Sequence, residues 1–237
     1  MDMNRFNWSV EVDSHAIHQP SPRFHSYGDC GACCLAGAVG WTAERLPELY
    51  EGSLQPFHGG STRTYKDSPL NWQDLIGKGG PWLHNKLRLI EPVVIDPVGP
   101  DMSRWQQDLH NPWATAPWSL IDPWFHRLRL YLQSGYVGMT TITFEGDGPY
   151  EKRSDGSMFN RGTNHWVLLN GAKAIREQRG DGGFTQVEMV RVSCSVKGDY
   201  WANAREFLTL YGGYWLAFIR RVPLVAVNAW VDTGRRC

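Results

Sequence analysis

The chain has 237 residues, 42% of them hydrophobic and 13% aromatic with twelve Trp, and its 24 basic side chains balance its 24 acidic ones. That length makes one domain, or at most two small ones, with enough apolar residues to bury a core, which excludes a disordered protein. Zero net charge gives no electrostatic footprint for nucleic acid or a polybasic membrane surface. No apolar run approaches the roughly 18–20 residues of a bilayer span, and the polar stretch 1–13 lacks the apolar centre of a secretory signal.

Taken in order, residues 1–28 read as a polar, turn-rich N-terminal arm, with Gln19-Pro20-Ser21-Pro22 inside it. Residues 29–39 predict a helix, with Asp29 as N-cap and small or strong helix formers behind it, stopped by Gly40. A second helix is expected over 42–50, capped by Thr42, with Glu44 and Glu48 on a wet face and Pro47 shortening or kinking it. Residues 52–69 read as loop. Short helices follow at 71–77 and 81–89, separated by Lys78-Gly79-Gly80. The segment 91–121 holds five prolines and three Trp with little periodicity, and reads as a long insertion. A helix over 123–134 has a broad apolar face of Trp124, Phe125, Leu128, Leu130, Tyr131 and Leu132.

Beyond Gly135 the pattern turns to strands. Residues 137–144 are β-rich, 145–162 are a polar loop, and Trp166–Leu169 is a short apolar run suited to a sheet interior. Arg179-Gly180-Asp181-Gly182-Gly183 is a turn, and Phe184–Cys194 alternates apolar and polar residues. Residues 202–210 predict a helix and 214–219 a last strand, followed by a tail over 223–237. Helices that precede an antiparallel-looking sheet give an α+β class. The expected organisation is one domain over 1–237, with a helical part at 29–134 and a sheet part at 135–222.

Three of the five cysteines, Cys30, Cys33 and Cys34, fall within five positions, and an odd total does not suit a disulfide framework. With a helix starting at Asp29, Cys30 lies in the first turn, where unsatisfied N–H groups and the positive dipole end favour a thiolate. A thiolate is the competent nucleophile. Cys33 and Cys34 lie a turn deeper and read as small packing residues. Two rival readings exist. Cys30-Gly31-Ala32-Cys33 has the C-x-x-C spacing of a redox pair, but turn-forming residues and not a strand precede it. Zinc bound with His25 needs a second ligand pair, whereas Cys194 and Cys237 stand alone.

A nucleophilic cysteine needs a base, usually distant in sequence. Among eight histidines, His165 is the best placed, where a polar loop becomes an apolar strand in Gly162-Thr163-Asn164-His165-Trp166-Val167-Leu168-Leu169. It lies 135 residues after Cys30, inside the roughly 130–150 of papain-like enzymes.

The stretch Asp29-Cys30-Gly31-Ala32-Cys33-Cys34-Leu35-Ala36 resembles the nucleophile helix of papain-like cysteine peptidases, in motif order most nearly the bacteriocin-leader-processing branch. Ser134-Gly135-Tyr136-Val137-Gly138-Met139, the His165 block and Glu206-Phe207-Leu208-Thr209-Leu210-Tyr211-Gly212-Gly213 resemble three later blocks of that branch, in the same order. The resemblance implies a papain-like α+β fold, with the nucleophile helix packed on an antiparallel sheet. It implies attack by Cys30, proton exchange by His165, and an oxyanion held by the Cys30 amide with an upstream polar side chain. At the family's oxyanion glutamine this chain has Phe24, so Gln19, His25 or Ser26 takes that role, with Gln19 preferred. The family also orients its histidine with an Asp or Asn on the following strand. Here Ser195 is the candidate, with Ser193, Asp199 and Asn170 as alternatives.

The expected function is therefore a cysteine peptidase with a polypeptide substrate, a processing enzyme or a bacterial effector or toxin. The alternatives are a papain-like acyltransferase or deamidase, and an inactive binding module of the same fold. Trp105, Trp113, Trp118 and Trp124, with the loop 145–161, either border the cleft and select substrate or pack the insertion down. No P-loop, dinucleotide fingerprint or His-Glu-x-x-His is present, so no cofactor or metal is expected. A cytoplasmic location is expected, with export by a signal-independent route left open.

Overall fold

The computed structural model describes residues 7–18, 30–54, 75–97, 118–142, 150–152, 158–160, 165–208 and 215–223. Helix α1 spans Cys30–Ala38, and all nine of its residues are buried. A helix built of small and apolar residues on every side has no wet face to offer and belongs inside a core. It ends where expected. Gly40 adopts φ +73°, its amide donates to the Gly37 carbonyl at 2.9 Å and that of Trp41 to Ala36 at 3.0 Å. This left-handed closure satisfies the last carbonyls of the helix.

The second helical stretch is composite. A 3₁₀ turn over Ala43–Arg45 leads into α2, Leu46–Leu49, and then a wide π-type turn over Tyr50–Leu54. Thr42 precedes it without a side-chain cap, and Pro47 stands in the first turn of α2, where its missing N–H costs nothing. The expected break at Lys78-Gly79-Gly80 does not occur. A wide turn over Leu75–Gly79 runs directly into α3, Gly80–Asn85. A Cβ on Gly80 would lie 2.8 Å from Val93 Cγ2, so this glycine serves close packing and not chain reversal. Helix α4 runs from Trp118 to Gln133 with Pro123 inside it, starting earlier than expected. It buries Trp124, Phe125, Leu128 and Leu132 but leaves Leu130 exposed.

The centre is a seven-stranded antiparallel sheet. Its strands are β1 (Trp8–Glu11), β2 (Val94–Pro97), β3 (Val137–Ile142), β6 (His165–Gln178), β7 (Phe184–Cys194), β8 (Gly198–Asn203) and β9 (Trp215–Ile219). The order is β2-β9-β3-β6-β7-β8, with β1 also paired to β6. A separate hairpin joins β4 (Tyr150–Lys152) and β5 (Met158–Asn160), inside the segment expected to be loop. Strand β6 is the spine: β7 covers one edge, while β3 pairs with residues 165–169 and β1 with 171–174 on the other. The register shifts between Leu169 and Gly171, a bulge at Asn170 that lets the strand continue past a glycine.

Alternation along β6 separates two cores. Trp166 and Leu168 pack with α1, Val137, Met139, Ala217 and Ile219. Val167 and Leu169 pack on the other face with α4, Val190, Val192, Leu216 and Phe218. The mixed helix and antiparallel-sheet class is thus α+β. Several local expectations are corrected: the arm carries β1, the proline-rich insertion carries β2, and residues 198–203 form β8, so that the expected helix starts only at Ala204, with α5 over Ala204–Glu206. No helix among the described residues is long and apolar enough to cross a membrane.

Candidate active site

Cys30 is the first residue of α1, so its sulfur sits at the positive end of a buried helix. The helix approaches β6 closely because Gly31 has no side chain: a Cβ there would lie 2.3 Å from Leu75 Cδ1 and 3.0 Å from Trp166 Cδ1. At this contact the amide of Trp166 donates to Cys30 Sγ at 3.4 Å. That amide belongs to the peptide joining His165 to Trp166, so the thiol meets the head of the strand that carries the histidine. Cys30 and His165, 135 residues apart in the chain, are gathered at one corner of the sheet.

His165 is 6% exposed. Burial disfavours its charged form and lowers its pKa from 6.5 to about 4, so the ring is neutral at physiological pH. A neutral imidazole has one lone pair able to take a proton. Its Nε2 lies 3.2 Å from Cys194 Sγ. Cys194 closes β7 opposite Val167, and the chain then turns back so that Gly198, at φ +77°, pairs with Cys194 again. Within that turn the amides of Val196 and Lys197 donate to the same sulfur at 3.4 and 3.3 Å.

The residues expected as third member lie elsewhere. Ser195 is fully buried and its Oγ has no hydrogen-bond partner among the described residues; its neighbour Cys194 meets the histidine instead. Ser193 Oγ accepts from the Ala16 amide at 2.8 Å. Asp199 bonds His15 at 2.5 Å and Arg191 at 3.1 Å. Asn170 donates to the Ser14 carbonyl at 2.8 Å. Gln19, Phe24, His25 and Ser26 lie outside the described residues, as do Asp29, Trp105, Trp113 and Cys237. Trp124 is buried against Phe207, with ring centroids 6.0 Å apart, and so packs the core without bordering a cleft.

The other two cysteines of the cluster behave as packing residues. Cys33 and Cys34 are fully buried, and burial, then Cys30, Cys33 and Cys194 nearby, pushes the Cys34 thiol well above its ordinary pKa. All four described cysteines are free thiols. Cys194 escaped the sequence reading because a cysteine ending an alternating strand looks like one more apolar position. The available signal was the turn Ser195-Val196-Lys197-Gly198, which folds backbone amides over the residue before it.

Comparison with protein-family models, with curated proteins and with solved structures found no match to this chain.

Proposed function

We propose that the chain is a papain-like cysteine peptidase in which Cys30 is the nucleophile and His165 the general base. The observation that carries this reading is the hydrogen bond from the Trp166 amide to Cys30 Sγ, which sets a helix-terminal thiol beside the histidine's own peptide. Free thiols throughout the described chain suit a reducing, cytoplasmic setting.

In this reading Cys30 Sγ attacks the carbonyl carbon of a peptide bond as His165 takes the thiol proton. The oxyanion is held by the amides at the start of α1. The tetrahedral species collapses, the C–N bond breaks, and His165 gives its proton to the departing amine. Water then attacks the thioester, losing a proton to His165, and Cys30 leaves with that proton as the acid is released. Transfer to an amine would follow the same first half. The acceptor distinguishes a peptidase from an acyltransferase.

The test is alkylation by iodoacetamide near neutral pH, with labelled cysteines mapped by mass spectrometry. Preferential labelling of Cys30, lost in His165→Ala, is the expected result. Labelling spread evenly, or concentrated at Cys237, overturns the reading and leaves a non-catalytic module of this fold.

A further inference from the structure

Three groups converge on Cys194 Sγ: the amides of Val196 and Lys197, and His165 Nε2. The two amides can only donate, so the sulfur is an acceptor already. Two N–H groups aimed at one sulfur engage it as an acceptor before the histidine is considered. A thiol S–H is a weak donor, whereas an imidazole N–H is a good one. The bond to His165 therefore runs from Nε2–H to sulfur.

From this geometry we infer that Cys194 is the positioning residue of the site, accepting the Nε2 proton of His165 and so placing the ring's lone pair on Nδ1 for use against Cys30. The inference rests on the reading of Cys30 and His165 as nucleophile and base, and adds a sulfur where an oxygen acceptor was expected. Its location supports it: Cys194 is pinned by pairing with both Val167 and Gly198, so the acceptor is fixed by the sheet and not by a mobile loop.

The reverse arrangement, with Cys194 as nucleophile and Nε2 as base, lacks an oxyanion site. The amides nearest Cys194 are already engaged by its own sulfur, while those opening α1 stand at Cys30. A positioning role also makes a distinct chemical demand. Any acceptor of similar reach should replace the sulfur, whereas no amide or carboxylate would replace a nucleophilic thiol.

The test follows the rate of Cys30 alkylation by iodoacetamide from pH 5 to 9, read on the Cys30 peptide in the full-length protein. Cys194→Ala should slow it roughly 10- to 100-fold, the range found when a metal-ligating histidine loses its hydrogen-bond partner, and shift its pH profile toward that of an isolated thiol. Cys194→Asn should restore most of the rate. An unchanged rate and profile in Cys194→Ala overturns the inference while leaving the dyad intact. Faster alkylation of Cys194 than of Cys30 in the unaltered protein also overturns it, by exchanging the two roles. A Cys30 rate that is ordinary, and indifferent to His165→Ala, defeats instead the peptidase reading beneath it. Should Cys194→Ala not fold, ¹⁵N shifts of His165 in the unaltered protein decide: protonated Nε2 supports the inference, protonated Nδ1 overturns it.

Discussion

The amide of Ile17 donates to the carbonyl of Cys33 at 3.1 Å, tying the N-terminal segment to the middle of α1. The approach is possible because Gly37, one turn on, has no side chain: a Cβ there would lie 2.0 Å from the His15 carbonyl oxygen and 2.9 Å from Ala16 Cα. These are backbone atoms and cannot swing aside. Gly37→Ala should therefore cost about 1–3 kcal/mol in urea unfolding. Gly180→Ala, where nothing lies within 4 Å, should stay within about 0.5 kcal/mol of the original.

The same segment is held to the sheet by Ser193, whose hydroxyl accepts from the Ala16 amide at 2.8 Å. Ser193→Ala removes that acceptor and should lower stability by about 1 kcal/mol. Limited proteolysis should then cut more readily near residue 16, with the rest of the digestion pattern unaltered. An unaltered cleavage rate there would show that strand pairing by β1 suffices alone.

His165 predicts a pH dependence with a definite sign. Its pKa is about 4 in the fold against 6.5 for an exposed ring. Between those values the unfolded chain binds a proton that the folded chain does not. Stability from the neutral ring is thus complete above pH 6.5, falls as the pH drops through 6.5, and is fully lost near pH 4. The total is about 3 kcal/mol at ~1.4 kcal/mol per pH unit. Between pH 7 and pH 4.5 the denaturant midpoint of the parent should fall further than that of His165→Gln. A constant difference would contradict the burial of a neutral imidazole.

Cys34 predicts a chemical silence. Burial and the neighbouring cysteines push its thiol well above the ordinary range, so little thiolate exists at pH 8 and no reagent reaches it. Iodoacetamide should leave Cys34 unlabelled in buffer and label it fully in concentrated urea. Labelling of Cys34 in buffer at the rate of Cys30 would mean that α1 opens readily.

Much of this architecture is legible in local sequence where local rules are strong. Gly40 ends α1 through its positive φ, and Phe184–Cys194 is read as a strand with its observed ends because apolar and polar residues alternate along most of it. What escapes is structure created by partners. Strand β8 takes in Ala202 and Asn203, the start of the expected helix, and its pairing to β7 decides their conformation. The apolar run Trp166–Leu169 marks only the buried start of β6; pairing to β7 and β1 carries the strand nine residues further. Within the site, Cys30 and His165 were marked by chemistry and context. Cys194 required knowing which side of β7 the histidine occupies, a fact of register and not of composition.

The edge of β6 shared by β3 and β1 has a temporal consequence. Helix α1 lies early in the chain, yet β6, against which it packs, begins only at His165, and β1 finds its partner at residues 171–174. A nascent chain emerging from the ribosome thus carries Cys30 long before the strand bearing His165 exists. Contacts at such separation form slowly and late. Under the proposed chemistry Cys30 stays unactivated in the half-made protein until β6 has been made and has found α1.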